Sequence, residues 1–403
     1  MADETGGRDP MTRSDSIDNL RASITVLVVA VHAAMGYVTF GFFNPDHFIE
    51  GSTAPIVDDR QWAGFDLFVV FNNTFFMALM FFIAGLFVAP SIGRKGAGAF
   101  LKDRVWRLGL PFLVGVLFLS PLAYYPSFLM TGARQGYFGY WRDMILVGPW
   151  SPGPLWFIGM LLAFQMVAAP AIRFVGWACP GGETPGRWLG GPRRSPILFF
   201  LVVLCLSIAS YLPMVGLYGP FRWVFWGPMT LQVSRVVLYL AWFGLGVFFG
   251  ARGLSATFLG ASAGFGKWWW AWAGMAAISF VWLLGANHAM LQHFSIREAW
   301  SRPPGWISAG LACPAACTAI CMALLAMFQR FSIPAFRWLD SLRASAYGIY
   351  LVHYPLVVWA QYYLLDWPLG AVAKAAIVFA VSLGGSWGLV AMVRRVGAVG
   401  RII

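Results

Sequence analysis

Arg21 and His32 stand eleven residues apart, at the start and inside the first long apolar run of the chain. Eleven α-helical residues make about three full turns plus 20°, so both side chains leave nearly the same face, ~16 Å apart along the axis. An ionisable group inside an apolar span is costly to bury, which makes it a functional candidate. Imidazole can take a proton from a hydroxyl and return it near neutral pH. Guanidinium stays charged and offers paired donors to carboxylate or phosphate. The pair describes a polar stripe running from a membrane surface toward the bilayer centre, suited to chemistry at a hydroxyl. Structural readings compete with it: a histidine bonded to a neighbouring helix, and an arginine snorkelling to a positively charged surface.

Other residues join these two as candidates. Arg104 and Arg107 are three apart, enough to share a helix face. With Lys102, Arg94 and Lys95 nearby they could clamp a polyphosphate such as that of coenzyme A, or be ordinary loop positivity. The segment Ser345–Pro355 carries Tyr350 and His353, and places His353 near mid-depth of its span, where it could share a cavity with His32 or merely bond between helices. Arg235 lies inside the sixth apolar run and needs a partner or water. Asp66, Asn72, Asn73 and Gln165 are further polar groups in the spans and read more simply as interhelical bonding groups; Asp66 is also a candidate acid for His32.

The elements that must position these residues are membrane helices. The chain has 403 residues, 59% hydrophobic and 11% charged, with a mean hydropathy of +0.69; a soluble domain carries about 25% charge. Ten apolar runs, near 22–42, 66–90, 106–125, 154–173, 196–217, 228–250, 268–288, 306–328, 344–365 and 372–393, are each close to the ~20 residues needed to cross a bilayer. The expectation is an all-α polytopic protein with a transmembrane domain over 18–394, between a polar, disordered tail at 1–17 and a short tail at 395–403.

The net charge of +12 collects in the N-terminal segment, the even-numbered loops and the C-terminal tail, so both termini should be cytoplasmic. It reports topology rather than nucleic-acid binding. The first run is too long for the core of a cleaved signal peptide and follows an acidic segment. Loop 43–65 is polar enough to fold over the outer face, and loop 174–195 is a Gly- and Pro-rich connection. Cys313, Cys317 and Cys321 share one face of the eighth span and read as small packing residues, with no acid or histidine beside them to complete a metal site.

There is no His-Glu-x-x-His or P-loop, which counts against a metalloprotease and an ATP-driven pump. The motifs that are present resemble the acyltransferase family 3 membrane proteins. Asp18-Asn-Leu-Arg21 followed by an apolar run to His32 resembles the family's opening. Phe82-Ile-Ala-Gly85-Leu-Phe, Arg104-Val-Trp-Arg107-Leu-Gly-Leu-Pro111, Pro154-Leu-Trp-Phe157 and Tyr347-Gly-Ile-Tyr350-Leu-Val-His353-Tyr-Pro355 follow in the family's order. The set spans about 18–394 and is most similar to the glucans biosynthesis protein C branch.

The resemblance implies ten helices in a bacterial-type inner membrane. It also implies transfer of an acyl group, acetyl or succinyl in class, from cytoplasmic acyl-CoA to a hydroxyl of an extracytoplasmic glycan or similar acceptor, without a metal. His32 and Arg21 would be functional, and Arg104 and Arg107 would matter for the donor. The rival reading is a carrier or flippase for a glycan or lipid-linked precursor. Inverted repeats and paired broken helices, common in transporters, are not evident.

Overall fold

The computed structural model describes residues 14–178, 196–253, 264–293, 303–331 and 337–395. Cys179, most of the 174–195 connection and most of both terminal segments lie outside the described residues. The apolar runs are helices because a backbone in lipid must satisfy its own polar groups. In chain order they are α1 (Ser14–Met35), α2 (Ala63–Leu86), the short α3 (Val88–Lys95), α4 (Ala97–Met130), α5 (Tyr137–Leu146), α6 (Trp156–Ala178), α7 (Pro196–Tyr218), α8 (Val233–Ala251), α9 (Trp269–His293), α10 (Pro303–Arg330), α11 (Arg337–Leu364) and α12 (Ala371–Val393).

Nine spans among the described residues are long and apolar enough to cross a membrane. The tenth long helix, α11, is more polar because it carries Arg337, Asp340, Arg343, Gln361, His353 and a series of tyrosines. The protein is an all-α polytopic membrane protein. Its small departure from that class is a hairpin of β1 (Trp223–Trp226) and β2 (Met229–Gln232), in register Trp223 with Gln232 and Trp226 with Met229. The turn starts on Gly227 at φ 53°, a positive φ that glycine adopts freely, followed by Pro228.

Backbone contact between α2 and α8 organises the larger core. A Cβ on Gly246 would lie 2.1 Å from Phe82 O, one on Gly250 2.1 Å from Leu86 O, and one on Gly85 2.3 Å from Phe243 O. The two helices therefore run side by side in the same direction, with glycine permitting the approach. Around this seam, α10 packs its small face of Ala312, Ala316, Cys317, Ala319 and Cys321, all buried.

Helix α4 is bent by its own sequence. It contains two π turns, Val105–Gly109 and Gly115–Leu119, and three prolines, Pro111, Pro121 and Pro126. Proline has no N–H, so each deprives the carbonyl four residues earlier of its helical donor. Those carbonyls belong to Arg107, Leu117 and Leu122. Each receives a side-chain donor from elsewhere: the Tyr347 hydroxyl donates to Arg107 O at 2.5 Å, Trp141 Nε1 to Leu117 O at 2.8 Å, and Trp359 Nε1 to Leu122 O at 2.9 Å. Two of the donors lie on α11, so the defects in α4 fix the position of the helix that carries His353.

A double-mutant cycle tests this. Trp141→Phe leaves Leu117 O without a donor, whereas Pro121→Ala restores a backbone one. The unfolding penalty of Trp141→Phe is expected to shrink by about 1 kcal/mol in the Pro121→Ala background, read from thermal or denaturant unfolding of the purified protein. Equal penalties in both backgrounds would refute the account.

Candidate functional site

The structure brings the two singled-out histidines into contact. His353 Nε2 lies 3.3 Å from His32 Nδ1, with ring centroids 5.2 Å apart. Helix α1 ends at Met35, so His32 occupies its last turn rather than the middle of the span drawn at 22–42. The chain turns at Gly36, where a Cβ would meet Gln361 Nε2 and Ile56 O, both at 3.0 Å. Gln361 donates to His32 O and Ala33 O at 3.0 and 3.2 Å, carbonyls that a helix end leaves without partners. Helix α11 thereby holds the end of α1 at the level of the imidazole.

The hydrogen bonds assign the tautomers. His32 Nδ1 lies 2.8 Å from Val28 O, and a carbonyl only accepts, so Nδ1 carries the proton. By the same argument His353 Nδ1 donates to Tyr350 O at 2.8 Å, which leaves a lone pair on His353 Nε2. In the neutral pair, His32 Nδ1–H points at that lone pair as well as at Val28 O, and His32 Nε2 is the free basic nitrogen. His353 is fully buried, while His32 keeps some accessible surface.

Aromatic side chains and a non-helical segment enclose the pair. The Tyr354 ring meets His32 edge-on at 5.2 Å. The Ser151 hydroxyl donates to the Tyr124 hydroxyl at 3.1 Å, and Tyr124 in turn packs against Tyr354. Tyr350 donates its hydroxyl to Pro154 O. The backbone between α5 and α6 thus descends to the level of the histidines, an arrangement tolerated in a membrane only where protein covers it or water reaches it. A narrow cleft beside it is lined by Ser120, Pro152, Pro154, Tyr350, Tyr354 and Pro355.

The basic motif forms a second cluster. Asp103 forms ion pairs with Lys95, Arg104 and Arg107 at 3.5, 3.1 and 3.2 Å, so three cations share one carboxylate and positive charge remains in excess. Arg104 also lies over the Phe100 ring at 5.0 Å, whereas Lys102 is exposed. Tyr347, bonded to Arg107 O, precedes His353 by six residues, or ~9 Å along α11.

The remaining candidates are held elsewhere. Arg21 pairs with Asp18 at 3.2 Å in the early part of α1. Asp66 does not serve His32: its carboxylate accepts from Thr39 N at 2.7 Å and from the Thr39 hydroxyl. Being in the first turn of α2, it ties that turn to the chain leaving α1. Arg235 Nη1 donates to Asn73 O at 2.6 Å, in contact with neither histidine nor the basic motif among the bonds described.

A family model described as an acyltransferase domain matches residues 14–391. The chain belongs to acyltransferase family 3. No curated protein and no solved structure matches it.

In this family member an ion pair that the sequence reading missed closes the site on the side of Gly36. Lys374 Nζ lies 2.6 Å from Asp58 Oδ2, with both side chains almost wholly buried, and it also donates to Leu365 O at 2.8 Å. Asp58 N donates to Gly36 O at 2.9 Å, and the Ser127 hydroxyl donates to Pro55 O at 2.7 Å. The segment after α1 is thereby fastened to α4 and α12 beside His32. Removing one partner of such a pair strands a buried charge. Lys374→Met is expected to destabilise the protein by about 3–5 kcal/mol, and Lys374→Met with Asp58→Leu by much less. A thermal melt of purified variants checks this, and a single variant as stable as wild type would rule it out.

Proposed function

We propose that this acyltransferase family 3 protein transfers an acyl group, acetyl or succinyl in class, from acyl-CoA to a hydroxyl of an extracytoplasmic glycan. The observation that carries the reading is the contact of His32 Nδ1 with His353 Nε2, which leaves His32 Nε2 as the base. The phosphates of the donor dock on the charge left uncompensated at Arg104 and Arg107, with Lys102 and Arg21 at the same face, taken as cytoplasmic. The ~9 Å between Tyr347 and His353 along α11 is short enough for the pantetheine arm to bridge. The family resemblance supports a glycan acceptor.

In the reaction, His32 Nε2 takes the acceptor's hydroxyl proton as the oxygen attacks the thioester carbonyl. The tetrahedral intermediate expels the coenzyme A thiolate, the C–S bond breaks, and His32 returns the proton to sulfur. The products are an ester and free coenzyme A thiol, with no net proton change. While His32 holds the extra proton it is an imidazolium, and its Nδ1–H is directed at the lone pair of His353. His353 is therefore a positioning residue: it favours the Nδ1–H tautomer of the base and stabilises its charged form. No nucleophilic serine or cysteine adjoins the pair among the contacts described, which favours direct transfer over an acyl-enzyme.

Purified variants with radiolabelled acetyl-CoA or succinyl-CoA and extracted envelope glycan test the proposal. His32→Ala is expected to lower turnover by about 10²–10⁴-fold. His353→Leu removes a hydrogen bond to a group that becomes charged, about 1.5–3 kcal/mol or roughly 10–100-fold in kcat, with little change in KM for the donor. His353→Gln keeps an acceptor and should recover part of the loss. Full turnover by a folded His32→Ala protein would exclude this base. Loss of glycan export without loss of ester would instead identify a carrier.

A further inference from the structure

The first turn of α8 carries a charge that acyl transfer does not use. Arg235 Nη1 donates to Asn73 O on α2, and the other polar groups around its guanidinium are Tyr211 of α7, Tyr239 of α8 and Cys313 of α10. These are neutral hydroxyls and a thiol. Among the described residues no carboxylate forms an ion pair with it. Its Nε is sealed from solvent without an acceptor, yet the side chain as a whole is only partly buried. A cation among apolar helices without a counter-charge is unfavourable. An anion with several acceptor oxygens removes the imbalance, and phosphate matches the donor fork of guanidinium. The N-terminal end of α8 adds partial positive charge at the same place.

The hairpin immediately before α8 supplies an independent observation. Every residue of β1 is exposed, with Trp226 at 76%, and Phe221 just ahead is 65% exposed. Its base is tied to the first turn of α8, because Gln232 Nε2 and Ser234 Oγ both donate to Pro220 O at 2.6 and 2.9 Å. A ribbon whose aromatic side chains are uncovered on both faces is fitted to the membrane–water boundary, where tryptophan settles. Arg222 beside it lies over the Tyr218 ring at 5.9 Å.

We propose that Arg235 and the Trp223–Gln232 hairpin form a binding site for an anionic glycerophospholipid of the leaflet at the hairpin end. Its phosphate would lie on the guanidinium and its upper acyl region against the exposed aromatic rings. The site uses neither histidine, so it stands or falls without the acyl-transfer reading.

The test uses full-length protein equilibrated with equal parts phosphatidylglycerol and phosphatidylcholine in mixed micelles. A wash at high ionic strength screens the exposed basic loops far more than a partly buried site, and retained lipid is then quantified by mass spectrometry. Wild type is expected to retain phosphatidylglycerol preferentially, Arg235→Gln to lose that preference and Arg235→Lys to keep part of it. Trp223→Ser with Trp226→Ser is expected to reduce retained phosphatidylglycerol while Arg235 is intact, which keeps the test decisive should Arg235→Gln fail to fold. His32→Ala should bind lipid as wild type does. Wild-type preference in folded Arg235→Gln protein would overturn the site. Unchanged retention in the tryptophan variant would overturn the hairpin's part. Displacement of phosphatidylglycerol by inorganic phosphate would show a free-anion site and overturn the lipid assignment.

Discussion

In hydrocarbon, a backbone carbonyl without a donor is penalised by several kcal/mol, and this constraint shapes the site. Pro111, Pro121 and Pro126 each leave such a carbonyl in α4, and the fold answers with Tyr347, Trp141 and Trp359. The prolines therefore act as cross-links. Tyr347 and Trp359 join α11 to α4 on either side of His353, and Gln361 joins α11 to the end of α1. With α11 fixed to both neighbours, the spacing of the two imidazoles is set by backbone bonding rather than by the flexible packing of aliphatic side chains.

The choice of histidine as the partner of histidine follows from the same surroundings. A buried carboxylate would orient His32 well, but it would need a compensating cation or several donors to remain ionised. Where this protein does bury a carboxylate, at Asp58, it supplies Lys374 at 2.6 Å. A neutral imidazole accepts a hydrogen bond without that expense, and in the proposed mechanism charge appears between the rings only while a proton is in transit. The arrangement sacrifices some stabilisation of the imidazolium in exchange for a resting site with no net charge.

What the sequence made legible follows physical rules that act locally. Apolar runs near bilayer length mark the helices, and ionisable residues within such runs mark His32, His353 and Arg235. The ordered motifs indicate the family. Contacts between helices leave no such trace: His32 and His353 are 321 positions apart, and nothing in the spacing of either reveals the other. Asp66 looked like a partner for His32 because it is an acid at the edge of a span, but an acid in the first turn of α2 is equally placed to hold Thr39. The apolar run extends through residue 42 and so places His32 mid-span, whereas close packing at Gly36 turns the chain and puts His32 in the last turn of α1. The hairpin has a readable turn signal in Gly227-Pro228, but β2 falls within the apolar run 228–250, whose first residues are strand rather than helix. The freed carbonyls of α4 were also readable from the three prolines, although their donors were not.

Counter-charge separates the structural cations of this chain from those with capacity for a ligand. Lys374 has Asp58, and Arg343 has Asp340 and the Asn19 side chain; each has a carboxylate of the protein as its counter-charge. Arg21 pairs with Asp18, but both side chains are substantially exposed, and such a pair contributes little, so a stronger anion can displace the aspartate. Lys95, Arg104 and Arg107 share the single carboxylate of Asp103, and among the described residues Arg235 has only neutral polar neighbours. A membrane protein gains nothing in stability from cations held without compensation between its helices. Their retention at two separate places fits the two proposed sites, one for the donor's phosphates at the basic face and another for a lipid phosphate at the hairpin end.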